Sequence, residues 1–410
     1  MKQFPFNSQP SNAYYVNRLN KAKVLKLIRN AGEISRADIV KETGISAPTV
    51  TRIVDDLIQN EKLVRQVGTG ESKGGRPPKI VQFNAENNLI IGLDWGRTHI
   101  YATLSNLNAE TLYETDTPTE ASQNFNKDLQ KLYSIIEQLI GKSGIDERKL
   151  AGIGIAAAGY VNKEGIIEYS PNFSWKNVDL RKPISEKFNI PVVVNNVSRV
   201  MALGELYYGD LNIKDFVFVN LGYGIGAGII VNGKPLLGFN GISGEFGHTK
   251  IFTESRLTRK CVCGKTNCLE CFASGRGIEE TARERIKDHP DSLVYQLTSS
   301  DPDRIDARLL AKAAAEGDAF ARGTFLEAAE ILGISIANMT NIINPEAIIL
   351  GGKVSRAGNF FISRIREVFE QEQLVHTNIP VKLMKTSIPG KTAVKGATAL
   401  ILREVLNFNA

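Results

Sequence analysis

Leu89-Ile-Ile-Gly-Leu-Asp94-Trp-Gly96-Arg97-Thr98 is an apolar run that breaks on an acid, a glycine and a cation. The run reads as a buried strand, and the break as a tight turn. Ile100-Tyr-Ala-Thr-Leu-Ser105 resumes as a second strand. The same grammar returns in the other half of the chain, as Phe216-Val-Phe-Val-Asn-Leu-Gly222-Tyr223-Gly224-Ile-Gly226-Ala-Gly228-Ile-Ile-Val231. Glycines at such turns let backbone approach a phosphate, and Asp94 could hold a metal ion. A lone glycine hairpin is weak evidence, because any tight turn uses glycine. Two of them form a better signal for a nucleotide cleft, together with a strand ending in glycines, Asn344-Pro345-Glu346-Ala-Ile-Ile-Leu-Gly351-Gly352.

Outward from these hairpins the elements alternate. Phe125 to Ile140 reads as an amphipathic helix. Leu150 to Gly159 reads as a buried strand, and Ile190 to Asn196 as another, followed by a helix through Glu205. Leu326 to Ile342 reads as a further helix. Strands alternating with helices predict α/β layers. At 410 residues and 42% hydrophobic content the chain supports two or three domains with a sizeable core. We expect a head over 1–84 and two lobes of one body over 85–200 and 201–410.

Charge separates the head from the body. Residues 1–84 hold 14 Lys/Arg against 7 Asp/Glu, whereas the whole chain carries only +6. A basic head on a near-neutral body suits nucleic acid, although a solvated basic face has the same composition. The start of the chain lacks the basic-then-apolar pattern of a secretory leader, and the Phe216–Val231 run is too short and glycine-broken to span a bilayer. The expectation is a cytoplasmic protein with no membrane partner.

Within the head, Asn17 to Asn30 has helical periodicity, and Gly32 follows as a stop. Next comes Ser35-Arg-Ala-Asp38-Ile-Val-Lys-Glu-Thr43-Gly44-Ile-Ser46. Ser35 is placed to cap a helix with Asp38 as its capping-box partner, and Gly44 to end it. Ser46 is placed to cap the next helix, with Pro48 in its first turn. Two short helices joined by a glycine turn predict a helix-turn-helix. Ser46, Thr49, Thr51 and Arg52 lie where base edges or phosphates would be met. Leu63–Val67 and Lys79–Phe83 read as wing strands around Gly68–Pro78. The wing offers Lys73 and Arg76 to DNA, Arg76 on a Gly-Gly-Arg-Pro-Pro arm suited to a minor groove, although a plain linker is also rich in Gly and Pro.

All four cysteines fall in Cys261-Val-Cys263-Gly-Lys-Thr-Asn-Cys268-Leu-Glu270-Cys271, and His248 lies just upstream in Gly244-Glu245-Phe-Gly-His248. Three thiolates and an imidazole, His248, Cys261, Cys263 and Cys268, are the makeup of a closed structural Zn2+ site. The clustering suits chelation in a reducing compartment better than disulfide pairing; a redox pair is the alternative. Cys271 reads as a small buried apolar side chain.

Taken together these residues resemble the ROK family (repressors, open reading frames and sugar kinases). The most specific motifs are Gly244-Glu245-Phe-Gly-His248, Cys261-x-Cys263-Gly-x3-Cys268-Leu-Glu270, Ser170-Pro-Asn172 and Asn344-Pro345-Glu346-x-Ile-x-Leu-Gly351-Gly352. The resemblance covers nearly the whole chain. It implies a two-lobed actin-like sugar-kinase (ribonuclease H-like) fold behind a winged helix-turn-helix. The fused head matches the transcriptional repressor branch, of the xylose-repressor and N-acetylglucosamine-repressor kind. It implies that Glu245, His248 and Glu270 contact sugar hydroxyls and that Gly159, Asn172 and Asn195 line the same pocket.

Departures from the family pattern bear on activity. Family kinases carry Asn-Asp-Ala-Asn where this chain has Asn195-Asn196-Val197-Ser198. Their aspartate takes the proton from the sugar hydroxyl; Asn196 has no basic group with which to do so. The family's Gly-Thr-Gly phosphate hairpin here carries Tyr223, and Trp95 and Arg97 crowd the first loop. The expectation is a sugar-responsive repressor of carbohydrate uptake or catabolism genes, without kinase activity. It would bind double-stranded operator DNA as a homodimer or a dimer of dimers, because two-fold DNA calls for two-fold protein. A neutral Asn196 also admits a sugar phosphate as effector, by removing a repulsive charge. A sugar kinase using ATP is the alternative, and a metal- or redox-responsive repressor a third.

Overall fold

The computed structural model describes residues 12–70, 77–119, 124–251, 258–374 and 380–405. The head comprises α1 (Asn12–Ala31), β1 (Glu33–Ser35), α2 (Arg36–Thr43), α3 (Ala47–Gln59), β2 (Val64–Thr69) and β3 (Lys79–Phe83). The strands form an antiparallel sheet in the order β1-β3-β2. The Ser35 hydroxyl accepts from the Asp38 amide at 3.1 Å and donates to its carboxylate at 2.6 Å. Gly44 ends α2 at φ +69°, a left-handed turn that glycine adopts without penalty. Ser46 departs from expectation: it precedes α3, yet its hydroxyl donates to Thr49 Oγ1 at 2.9 Å and caps no amide. Val24, Leu25, Ile28, Ile39, Val50, Ile53 and Leu57 close the head's core.

The first lobe runs through β4 (Leu89–Trp95), β5 (His99–Asn106), β6 (Thr111–Pro118), α4 (Phe125–Ser143), β7 (Leu150–Ala157), β8 (Tyr160–Val161), β9 (Ile167–Ser170), β10 (Trp175–Val178), α5 (Arg181–Phe188) and β11 (Val192–Asn196). Then come α6 (Val197–Tyr208), β12 (Phe216–Leu221), β13 (Ile225–Val231) and β14 (Lys234–Pro235). The second lobe continues with α7 (Glu270–Ala273), α8 (Gly275–Arg285), α9 (Leu293–Leu297), α10 (Ala307–Ala315), α11 (Ala319–Ile343), β15 (Ala347–Gly351), α12 (Asn359–Glu372) and β16 (Lys382–Lys385). A final helix, α13 (Thr392–Glu404), closes the described chain.

The two lobes repeat one plan. The first sheet has the order β11-β7-β4-β5-β6 and the second β16-β15-β12-β13-β14. Each is an antiparallel meander extended by two parallel strands. The two glycine turns noted in the sequence therefore occupy equivalent ends, one per lobe. Residue 200 falls inside α6. The chain crosses between lobes there, and α13 returns to lie on the first sheet, with Val394 and Ala397 against Gly92 and Gly154.

Candidate functional site

The 3-10 turn Phe246–His248 follows the second hairpin and sets His248 toward the cysteine loop. Bridges from Lys250 to Cys268 and from Lys260 to Thr266 fold that loop back on itself. Donor atoms of His248, Cys261, Cys263 and Cys268 consequently lie within 4.8 Å of one another. His248 Nδ1 stands 3.5 Å from Cys261 Sγ, and Cys263 and Cys268 sulfurs are 3.7 Å apart. Burial pushes the Cys261 thiol far up; a bound cation offsets such a penalty by favouring thiolate. The three sulfurs and one imidazole nitrogen fit a closed tetrahedral metal site. Among the described residues this is the one cluster of three or more such donors, and Asp94 belongs to none. Cys271 is fully buried beside the cluster.

A cluster of polar side chains lies next to it. Glu245 Oε2 lies 3.8 Å from His248 Nε2, and Glu270 Oε1 lies 3.8 Å from His248 Nδ1 and 3.7 Å from Arg276 Nη2. Cys261 donates to Glu270 at 3.2 Å. Tyr160, on the first lobe, meets the His248 ring edge-on at 5.9 Å between centroids. Burial pushes the Glu245 carboxyl up to about 7; Arg199 opposes the rise and Glu270 adds to it.

At the floor, β11 delivers Asn195 and Asn196 to the start of α6. The Asn195 side-chain oxygen accepts from the Asn196 amide at 2.8 Å. Asn196 Oδ1 caps α6, accepting from Ser198 N at 2.9 Å and Arg199 N at 3.4 Å. Its Nδ2 donates to the Gly159 carbonyl at 2.9 Å. An aspartate could cap the helix, but its carboxylate could not make that last bond. Asn172 stands exposed in the turn two residues beyond Ser170, whose hydroxyl donates to Ala158 O. Arg199 is 2% exposed, is pushed down to about 10 by burial, and donates to the Val161 and Gly241 carbonyls.

The two glycine turns face each other across the cleft and are joined. The Arg97 guanidinium lies 3.9 Å from the centre of the Tyr223 ring. Asp94, at the end of β4, is pushed up to about 6 by burial, with Lys353 from the other lobe acting against the rise. Two exposed side chains thus span the gap between the glycine turns.

On the head, Ser46, Thr51 and Arg52 are exposed and Thr49 is half-buried; Ser46 directly precedes α3 and the other three lie on its first turns. Arg52 Nη2 donates to Asn17 Oδ1 at 2.9 Å. Lys73 and Arg76 lie outside the described residues.

Comparison with known proteins decides the lineage. A model of the ROK family matches residues 90–404. The chain belongs to the ROK family. A second model, winged helix-turn-helix DNA-binding, matches residues 17–63. The ROK chain is 34% identical to a xylose repressor of Caldicellulosiruptor bescii, over 97% of this chain and 98% of that one. A crystal structure of a ROK family transcriptional regulator, a homolog of the E. coli MLC protein, superposes with a TM-score of 0.82 at 28% identity. It covers 96% of this chain and 100% of its own. A ROK family glucokinase from Streptomyces griseus, solved with glucose and AMPPNP, gives a TM-score of 0.69 at 28% identity over 76% of this chain and 99% of its own. Repressors thus match the chain from end to end, and the kinase matches its body.

Sequence reasoning did not find Tyr160, Arg199 or Arg276. Arg199 carried no usable signal, since a cation on a helix ordinarily reads as a surface residue. Tyr160 follows Gly159 directly, so the turn was visible but the ring's contact across the cleft was not. No helix among the described residues is long and apolar enough to cross a membrane.

Proposed function

We propose that this ROK protein is a cytoplasmic, sugar-responsive transcriptional repressor of carbohydrate uptake or catabolism genes, relieved by its sugar and without kinase activity. The observation that carries the reading is the engagement of Asn196: its oxygen caps α6 and its nitrogen serves the Gly159 carbonyl. The position that would need a base holds a structural amide, in a chain that also carries a DNA-binding head. The Arg97–Tyr223 contact supports the same reading, because it fills the phosphate mouth.

In this proposal Gly159, Asn172, Asn195, Asn196, Glu245, His248 and Glu270 form the effector site between the lobes. A neutral sugar fits it, because Glu245 and Glu270 offer carboxyl oxygens to its hydroxyls. The kinship with a xylose repressor makes D-xylose the first sugar to test. Zn2+ would be held by His248, Cys261, Cys263 and Cys268, where it fixes the loop that carries Glu270. Ser46, Thr49, Thr51, Arg52 and, on the wing, Lys73 and Arg76 would meet the operator. The protein would act as a homodimer, because one helix-turn-helix per chain serves one half-site. The face of α11 bearing exposed Ile334 and Ile342 is offered to the second copy.

Fluorescence anisotropy on DNA from upstream of the protein's own gene tests the reading, with scrambled DNA as control and a salt series. Selective binding that weakens when D-xylose or another sugar of a panel is added supports it. Sugar-dependent ADP release from ATP would overturn it in favour of a kinase.

A further inference from the structure

Resting on the sugar-responsive reading, the geometry points to a specific route by which the pocket is heard at the head. We propose that α6 and α13 form a sliding joint between the lobes, and that Arg29 of the head reads its position through Tyr207 and Tyr208.

The start of α6 is part of the pocket. Asn196 caps it, and Arg199, one turn on, clamps the Val161 carbonyl of the first lobe and the Gly241 carbonyl of the second. Along its length α6 packs on the second sheet, where a side chain at Gly228 would meet Ala202 Cβ and Ser198 O at 2.5 Å. Helix α13 instead packs on the first sheet. A side chain at Gly92 would come within 2.8 Å of Val394 O, and Ser105 Oγ lies 3.1 Å from Thr398 Oγ1. Each helix therefore packs chiefly on a different sheet, while polar contacts at its two ends hold α6 to the first lobe.

They cross at Gly204 and Gly396. A side chain at Gly204 would overlap Thr392 O, and one at Gly396 would overlap Val200 O, so backbone approaches backbone at the crossing, flanked by the apolar side chains of both helices, Val200 and Leu203 with Ala393 and Ala397 among them. Small sliding of packed helices past one another is the shear mode by which such elements move.

The head rests on the far ends of both helices. Ile401 and Leu402 of α13 join Leu25 and Ile28 of α1 in one apolar cluster. At the end of α6, Arg29 lies 5.1 Å over the Tyr208 ring and donates to the Tyr207 carbonyl at 3.4 Å. The Tyr208 hydroxyl donates to Leu107 O of the first lobe at 3.1 Å. The head thus meets both helix ends in one apolar cluster, which Tyr207 and Tyr208 share, and adds the Arg29 contact to α6 alone, so a slide of the two helices would reach it through Arg29. Sugar that draws the lobes together would thereby change the aim of α3.

The test uses the full-length protein, its operator fragment and the sugar panel headed by D-xylose, with Arg29→Ala, Tyr208→Ala and Tyr208→Phe. Operator affinity is read by anisotropy with and without sugar, and sugar affinity by calorimetry. In the wild type, sugar should weaken operator binding by about tenfold or more, within the usual range of allosteric coupling. In Arg29→Ala and Tyr208→Ala that ratio should fall below about threefold, while sugar affinity and sugar-free operator affinity each stay within about threefold of wild type. Tyr208→Phe keeps the ring under Arg29 and should keep most of the response. A wild type that responds, with Arg29→Ala and Tyr208→Ala responding equally, overturns the route alone. A wild type whose operator binding ignores every sugar that it binds overturns the sugar-responsive reading and the route with it.

Discussion

Replacing Asn196 by aspartate restores the residue type that a kinase would need, and the structure says what it does to the fold. The wild-type amide donates to Gly159 O at 2.9 Å and caps α6 through its oxygen. A carboxylate keeps the cap, and its charge at a helix N-terminus gains about 0.3–1 kcal/mol. The bond to Gly159 is lost, at about 0.5–1.5 kcal/mol, and two acceptors are left face to face, at about 1–3 kcal/mol more. Asn196→Asp should therefore destabilise the first lobe by about 1–3 kcal/mol at neutral pH. Both tryptophans of the chain, Trp95 and Trp175, are buried in that lobe, so indole emission during urea unfolding reports on it. Equal or greater stability of the aspartate variant would refute the assigned role of the amide. The same preparation should release no ADP with any sugar, since Arg97 still lies over Tyr223. Turnover would show that a single residue separates this site from catalysis.

Cys263→Ser should lose its metal in native mass spectrometry, keep operator binding and lose most of the sugar response, because Glu270 and His248 depend on the folded loop. Tyr223→Ala removes an exposed cation–π contact that spans the cleft, of about 0.5–1 kcal/mol, and should weaken sugar binding about two- to fivefold in calorimetry without creating kinase activity. Asp94 has its carboxyl raised to about 6 in the fold against 3.8 unfolded, so its ionised form is disfavoured above pH 6 and the penalty vanishes below pH 4. Asp94→Asn should thus raise stability by up to about 3 kcal/mol at pH 7.5 and leave it nearly unchanged at pH 3, as urea midpoints at the two pH values will show. Arg52→Ala should lower operator affinity by about 1–3 kcal/mol in anisotropy and relax discrimination at one base pair.

The strongly apolar and strongly punctuated parts of the chain were legible. Leu89–Trp95, Leu150–Ala157, the second hairpin and Ala347–Gly351 are strands buried on both faces, and their composition leaves little choice. Thr111–Pro118 escaped notice because it is a sheet edge whose residues are mostly exposed, so it lacks apolar alternation. The short strands Tyr160–Val161, Ile167–Ser170 and Trp175–Val178 escaped because each is defined by partners, not by its own pattern. The cluster of one histidine and three cysteines was legible because cysteine is rare here and its spacing is chemistry. Arg199 and Tyr160 were not, because what makes them part of the site is burial and a neighbour from the opposite lobe. Ser46 shows a milder failure: the cap position was right, but its hydroxyl is engaged by Thr49.

The departures from the kinase pattern in the cleft bear on regulation as well as on catalysis. A kinase must let nucleotide in and product out, so its phosphate loops stay open to solvent and its base stays free. Here the base position is an amide bonded into the helix start, and the loops hold each other through Arg97 and Tyr223. On the proposed reading sugar is the ligand that biases closure, and its binding free energy is not consumed by bond-making. Differential affinity between two lobe arrangements is sufficient to move a population. About 1.4 kcal/mol of such preference already gives the tenfold change in operator binding that the anisotropy assay reads. On the proposed reading, phosphoryl transfer and sensing are two uses of one lobe closure, and α6, capped by Asn196 and ending beneath Arg29, is the element that both uses would share.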